Sequence, residues 1–239
     1  GGHAAGEVGS DAPRMQAIGG DAQATTYTIQ WWTTAQPRDA QFSAAVREEL
    51  ERLDALLSNY REDSVIERFN AARTNGPYAL PTELVALLRI AAQVHAASAG
   101  CFDPTVRPLV TLWGLDRGAP RVPEEAEISA ALARVGLDKL EIVSPNAVRK
   151  AVPDLELDLS SIGQGYTVAQ LSELAAQFGL EHYLIELGGE IAARGHNPDG
   201  TPWRVGVEDP LRVDEPVRTM PPRGMDPVCL GLNLAASVV

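Results

Sequence analysis

The chain has 239 residues, 45% of them hydrophobic and 22% charged, an ordinary globular composition with enough apolar residues for a sizeable core. No run approaches the roughly 18 apolar residues of a membrane-crossing helix, which excludes one. The formal net charge of -12 argues against a protein held mainly by nucleic-acid phosphates or anionic lipid, although a local basic pocket stays open.

The chain begins Gly-Gly-His without Met, which points to a processed form or an expressed piece. Residues 1–24 are rich in Gly and Ala, show no period and no secretory apolar stretch, and are expected to be a flexible leader. Thr25–Thr33 alternates with β-branched and aromatic residues and reads as a strand. Phe42, Val46, Leu50, Leu53, Leu57 and Tyr60 recur at steps of three and four, one face of a helix. Asp63 or Ser64 then caps a short helix ending near Asn70. Pro81–Ser98 is a third helix, with Pro and Glu at its start and Gly100 just past its end, and Pro123–Val135 a fourth, stopped by Gly136.

Strands are expected at Leu140–Val143, Ala147–Val152 and Leu155–Leu159, followed by a helix from about Tyr166 to Phe178. Tyr183–Leu187, Glu190–Arg194 and Trp203–Val207 read as further strands. Residues 208–227 hold five of the 17 prolines and read as loop, whereas the uncharged 228–239 reads as a buried strand where the chain stops, so a C-terminal truncation is expected. Helices early and strands late, with one strand–helix–strand unit over 155–187, give an α+β or mixed α/β fold in which N-terminal helices pack on a largely antiparallel sheet.

Four segments are candidates for chemistry. Asp158-Leu-Ser-Ser-Ile-Gly-Gln-Gly-Tyr166 ends a strand in a carboxylate and opens a helix through small residues, where free N–H groups attract phosphate. Asp158 is suited to ribose hydroxyls, a base N–H or a metal-bound water; the plainer reading is a turn with Ser160 or Ser161 as cap. Gly100-Cys-Phe-Asp-Pro-Thr-Val-Arg runs into an apolar stretch ending Leu112-Trp-Gly114, either a ligand loop or a capped turn into the core. Tyr60 either completes a hydrophobic face or presents its ring to a flat ligand. Glu186-Leu-Gly-Gly-Glu190 reads first as a bulge or hairpin turn. The two cysteines, Cys101 and Cys229, exclude a disulfide framework or a closed zinc site, and the four histidines lack metal-ligand spacing.

Taken together and in order, these segments resemble the FAD:protein FMN transferase family, the ApbE flavin transferases. Residues 23–27, Gln-Ala-Thr-Thr-Tyr, stand where the family has Met-Gly-Thr-x-Tyr. Residues 58–70 are similar to S-x-Y-x-x-x-S-x-[IL]-x-x-[FL]-N, residues 100–105 to G-x-[FY]-D-[PI]-[TS], residues 112–114 to L-W-G, and residues 158–166 to D-L-[SG]-[AGS]-[IV]-[AG]-[KEQ]-G-[YW]. Tyr183–Glu190 and Trp203–Pro210 complete a set whose members are each weak and whose order is specific.

The resemblance implies a single ApbE-like domain over 25–239 that moves FMN from FAD onto a Thr or Ser hydroxyl of an acceptor flavoprotein, with AMP released and Mg²⁺ neutralising charge. Position by position it implies that Tyr60 flanks the flavin, that Gln23, Cys101, Phe102, Asp103, Asp158 and Gln164 contact FAD, and that the Ser161 carbonyl meets the metal. It names no catalytic residue. It further implies the periplasmic side of the inner membrane, with a possible membrane tether through a lipidated N-terminus absent from this chain; no nucleic-acid partner is expected, on the net charge of -12. An alternative is a homologue that holds or delivers FAD without transferring FMN. Gln164 replaces a frequent Lys, Gln23 replaces Met and Ala169 a frequent Asp, marking a divergent branch. The family's later T-S-G and H-x-I-D-P-x-T-G motifs, and the Asp and Thr that complete its metal site, do not occur in these 239 residues.

Overall fold

The computed structural model describes residues 14–35, 38–116, 118–209, 212–220 and 236–238. In chain order they form β1 (Gln16–Ala22), β2 (Thr25–Trp32), α1 (Asp39–Leu57), α2 (Val65–Ala71), β3 (Pro77–Ala79), α3 (Thr82–Ala97), α4 (Arg107–Leu112) and α5 (Glu125–Leu132). There follow β4 (Leu140–Ser144), β5 (Ala147–Lys150), α6 (Ser160–Gln177), β6 (His182–Leu187), β7 (Glu190–Arg194), β8 (Val205–Asp209), β9 (Arg212–Met220) and β10 (Ala236–Val238). Every strand pairing among the described residues is antiparallel, so the mixed α/β class holds. The chain divides into two compact units, one of residues up to Glu49 and from Thr167 onward, the other of Leu50–Tyr166.

In the first unit a sheet runs in the order β1-β2-β6-β7, and a second in the order β10-β8-β9. Alternation in β2 sends Tyr27, Ile29 and Trp31 to one face, where Trp31 meets Phe42 of α1 edge-on at 5.0 Å. The opposite face carries Trp32, Leu184 and Ile191, which pack with Trp203 and Val205. In the second unit the sheet order is β3-β5-β4, and α1, α2 and α3 supply Leu53, Leu57, Ile66, Phe69, Leu84 and Leu88 to one core with Val148, Leu155, Leu157 and Leu159. Lys150 is buried there because its ammonium closes the end of α2, donating to the carbonyls of Phe69 and Ala72 at 2.8 Å each.

The structure corrects several expectations. Part of the expected leader is a strand: β1 pairs with β2 from Gln16↔Trp31 to Ala22↔Thr25. An edge strand requires backbone partners and no buried face, and the Tyr27 ring fills the space above Gly20. Leu155–Leu159 joins no sheet. Its apolar residues alternate inward as in a strand, but its backbone is satisfied by side chains: Leu157 N donates to Asn70 Oδ1 at 2.8 Å, and Leu157 O accepts from Asn70 and Asn59 at 2.9 and 3.1 Å. α6 starts six residues before the expected Tyr166, so neither Ser160 nor Ser161 precedes it as a cap. α4 was not anticipated in the apolar run, and the expected fourth helix shortens to α5, opened by reciprocal bonds between Glu124 and Glu127. β9 crosses the proline-rich stretch read as loop. Of the expected terminal strand, 236–238 pairs with β8.

Candidate functional site

Asp103 and Asp158 are built into turns of the same design. Asp103 Oδ1 accepts from Thr105 N at 2.8 Å and Thr105 Oγ1 at 2.6 Å, and Asp158 Oδ1 accepts from Ser160 N at 2.9 Å and Ser160 Oγ at 2.6 Å. This is the local bonding to which an Asp two residues before Ser or Thr is prone. In each case one carboxylate oxygen shapes the chain. Asp158 N donates to Pro104 O at 2.7 Å, which fastens the two turns together within the second unit. Thr105 Oγ1 in turn accepts from Gly136 N at 2.7 Å.

The neighbouring Cys101 is exposed and Phe102 half-buried. His95, scattered among the histidines in the sequence, holds this loop from below: its Nδ1 lies 2.7 Å from Phe102 O and 3.9 Å from Asp103 Oδ2. Its position on the last turn of α3, five residues before Gly100, was the available signal.

Tyr60 lies beyond α1, not on its face, in the loop that Ser64 organises by capping α2 through Glu67 N and donating to Ser58 O at 2.7 Å. The Tyr60 side chain is 51% exposed, so it is no part of the core. Of the two readings open for it in the sequence, the hydrophobic-face reading fails.

Ser161 and Gln164 stand on the first turns of α6, Ser161 exposed and Gln164 half-buried. The Ser161 carbonyl occupies the helical ladder position whose acceptor bond belongs to residue 165, leaving one lone pair for anything else. Among the described residues no group of three or more His, Cys, Asp or Glu is placed to hold a metal ion. A hard cation such as Mg²⁺ takes a set of oxygens that usually includes carboxylates, so the residues described do not by themselves fit one.

Gln23 belongs to the first unit. With Ala24 it forms the β1–β2 turn, both at positive φ (51° and 60°), a conformation costly for residues with a Cβ, and its Nε2 donates to the buried Thr167 Oγ1 at 2.7 Å. Glu186-Leu-Gly-Gly-Glu190 is the β6–β7 hairpin turn, as its plainer reading had it: Gly188 and Gly189 take φ of 58° and 94° between the paired Leu187 and Glu190. Burial raises the carboxyl pKa of Glu186, opposed by the Gly189 N–H that it accepts at 2.8 Å, and burial raises that of Glu190. Cys229 lies outside the described residues.

The motif segments 58–70, 100–105, 112–114 and 158–166 thus fall within the second unit, whereas 23–27, 183–190 and 203–210 belong to the first. A family model described as the ApbE family matches residues 24–227, and the chain belongs to that family. The FAD:protein FMN transferase of Salmonella typhimurium is 32% identical over 219 residues, covering 90% of this chain and 63% of that protein. The protein of the same name from Vibrio cholerae is 35% identical over 210 residues, covering 85% and 62%. Among solved structures, the flavin transferase ApbE from Vibrio cholerae superposes with a TM-score of 0.79 at 32% identity, over 83% of this chain and 65% of that one. The apo Pseudomonas stutzeri flavinyl transferase ApbE gives 0.79 at 35% identity, over 87% and 66%. The chain spans less than two thirds of the length of these curated relatives, 63% of the Salmonella protein and 62% of the Vibrio one.

Proposed function

We propose that this chain binds FAD on the loops of the second unit carrying Tyr60, Cys101, Phe102, Asp103, Asp158 and Gln164, and transfers FMN to a Thr or Ser hydroxyl of an acceptor protein. In that reaction the hydroxyl oxygen forms a bond to the FMN phosphorus, the pyrophosphate P–O bond breaks, AMP leaves with the bridging oxygen, and the hydroxyl proton passes to solvent or a base. The observation that carries the reading is the Asp158 N to Pro104 O bond, which makes two aspartate turns one platform in a chain of this family. Each turn spends one carboxylate oxygen on itself; the second, which in Asp103 also faces His95 Nδ1 at 3.9 Å, is the one we assign to a ligand N–H or hydroxyl.

Charge neutralisation at the pyrophosphate is the main demand of such a transfer, and a divalent ion, Mg²⁺ in our reading, supplies it when bound. Ser161 would offer its carbonyl to such an ion, which the described residues do not by themselves hold. We also propose the periplasmic side of the inner membrane, with a lipid tether carried by sequence outside these 239 residues, a reading that rests on family resemblance and that fractionation of cells with and without inhibition of lipoprotein processing tests.

The test of function is to incubate the chain with FAD, Mg²⁺ and a candidate flavoprotein, following AMP release and acceptor mass. A gain of one FMN with stoichiometric AMP is expected. A chain that neither quenches FAD fluorescence nor gains thermal stability from FAD overturns the binding half of the reading. FAD binding without AMP release selects the second reading, a flavin-holding homologue, which the neutral Gln164 favours because it places no cation beside the phosphates.

A further inference from the structure

We propose that Glu67 is a positioning residue that locks the three candidate FAD loops of the second unit into one arrangement. The proposal rests on the FAD-binding reading for its functional meaning and on geometry for the lock itself.

Glu67 sits on the first turn of α2, at a position that the family pattern for residues 58–70 leaves open. Its carboxylate is largely enclosed, with 18% of the side chain exposed, and four N–H contacts converge on it. Asn59 Nδ2 and Asn70 Nδ2 reach Oε1 at 3.0 and 3.2 Å. The Arg107 guanidinium grips both oxygens, NH1 to Oε1 at 2.8 Å and NH2 to Oε2 at 3.1 Å. A two-point Arg–carboxylate grip fixes orientation as well as distance.

Each partner leads to a different loop. Asn59 is the residue before Tyr60. Arg107 is four residues past Asp103 and opens α4, and its NH2 also lies 3.5 Å from Asn59 O. Asn59 and Asn70 both pass their second N–H to Leu157 O, at 3.1 and 2.9 Å, and Leu157 is the residue before Asp158. Glu67 Oε1, the two amide nitrogens and Leu157 O therefore form a closed ring of hydrogen bonds. One carboxylate thus fixes the backbone beside Tyr60, beside Asp158 and downstream of Asp103, although it contacts none of the three side chains. The Leu157 stretch has no strand neighbour, so this ring and the Asn70 Oδ1 bond hold it in place.

The substitution Glu67→Gln keeps the size and removes the charge: an N–H donor turned toward Arg107 breaks the two-point grip, and one turned toward the asparagines opens the ring, so no orientation of the amide satisfies all four contacts. Amide hydrogen exchange of the full chain without ligand reads the lock. We expect faster exchange in all three segments, 58–64, 101–107 and 156–160, while β4 and β5 keep their protection. FAD affinity is expected to fall about tenfold or more, the scale of one lost bond to a charged group. Exchange that rises only at 58–64 reduces Glu67 to a local cap and overturns the inference. Should Glu67→Gln not fold, Arg107→Gln replaces it: cutting that side of the grip must raise exchange at 156–160 as well as at 101–107, and Glu156→Gln, which removes the separate Arg107–Glu156 pair at 3.6 Å, must not reproduce the joint rise; failure on either count overturns the lock. A wild-type chain that binds no FAD but shows the joint exchange response keeps the lock and removes the proposed function, whereas wild-type FAD binding that survives unchanged in a folded Glu67→Gln variant removes the positioning role.

Discussion

The amide of Asp158 donates to the carbonyl of Pro104 across 2.7 Å, so two segments that are 54 positions apart in sequence form one surface. Pro104 cannot donate and its carbonyl needs a partner; the residue that supplies it is itself the aspartate that begins the next turn. The two carboxylates share this support and the same internal bonding through Oδ1.

That bonding makes a sharp prediction. Asn in place of Asp retains an oxygen at Oδ1, so Asp103→Asn and Asp158→Asn preserve both turns and change only the second oxygen, from acceptor to donor. The melting temperature without FAD should stay within a degree or two of the parent, on the scale of an ordinary surface change. The FAD-induced rise should shrink, because ligand stabilisation follows affinity. Differential scanning fluorimetry over an FAD series checks both; a large loss of stability without ligand and an unchanged FAD-induced rise would show that the carboxylates serve the fold.

Tyr60 gives the complementary case of a ring that lies outside the core. At 51% exposed it contributes little to the core, so Tyr60→Ala should leave unfolding in urea nearly unchanged. If the ring stacks on flavin, the same variant weakens FAD binding by roughly 1–2 kcal/mol, the range of aromatic pairs and base stacking. Fluorescence quenching titrations measure this, and Tyr60→Phe should restore most of the affinity. Equal dissociation constants for parent and Ala variant would remove Tyr60 from the site.

The candidate site was legible where its function is written in local chemistry. Asp-x-Ser and Asp-Pro-Thr announce turns, Ser64 announces a cap, and the periods of α1 and α3 place those turns at helix ends. What escaped the sequence was long-range. Leu155, Leu157 and Leu159 alternate because alternate residues are buried, and period two says nothing of which donors satisfy the backbone between them; here they are the amides of Asn59 and Asn70. β1 was illegible for the opposite reason: an exposed edge strand has no buried face to create a period. The start of α6 was set too late because Gly163 and Gly165 read as loop, yet Gly163 packs where an added Cβ would lie 3.8 Å from Leu57. The pairing of Glu67 with Arg107 left no local signal, since the two are 40 positions apart.

Asn70 tests the substitution of side-chain amides for a strand partner. The residue is 4% exposed and makes a donor and an acceptor bond to Leu157, whose own side chain is fully buried. Asn70→Ala strands Leu157 N without its acceptor and halves the donors on Leu157 O. A buried unsatisfied group costs about 1–3 kcal/mol, and the lost bonds to the carbonyl and to Glu67 add to it, so a destabilisation of about 2–4 kcal/mol is expected from urea denaturation. A loss below about 0.5 kcal/mol, the level of a surface change, would mean that the 155–159 stretch holds its course without the amide.

The first unit carries a pH response of its own, at the end of β6. The His182 ring lies flat on Trp32, centroids 4.0 Å apart and planes 4° from parallel, with His196 tilted against it at 4.3 Å. His196 N donates to His182 Nδ1 at 3.2 Å, a bond that requires Nδ1 to be unprotonated. Gly195, at φ 68°, permits this approach, since a Cβ there would lie 2.2 Å from the same nitrogen. Burial, then the neighbouring His196, lowers the His182 pKa below 6.5, and Glu181 opposes them. The sign follows: between the lowered folded value and 6.5 the unfolded chain binds more protons at this site, so its contribution to stability is complete above 6.5 and is lost as pH falls through the folded value. Urea midpoints taken from pH 7.5 down to pH 5 should therefore decline in the parent chain beyond the decline in His182→Gln, which has no proton to take up and keeps an acceptor oxygen for His196 N. Parallel declines in the two chains would show that the stack does not feel the proton, and that the acid sensitivity arises elsewhere.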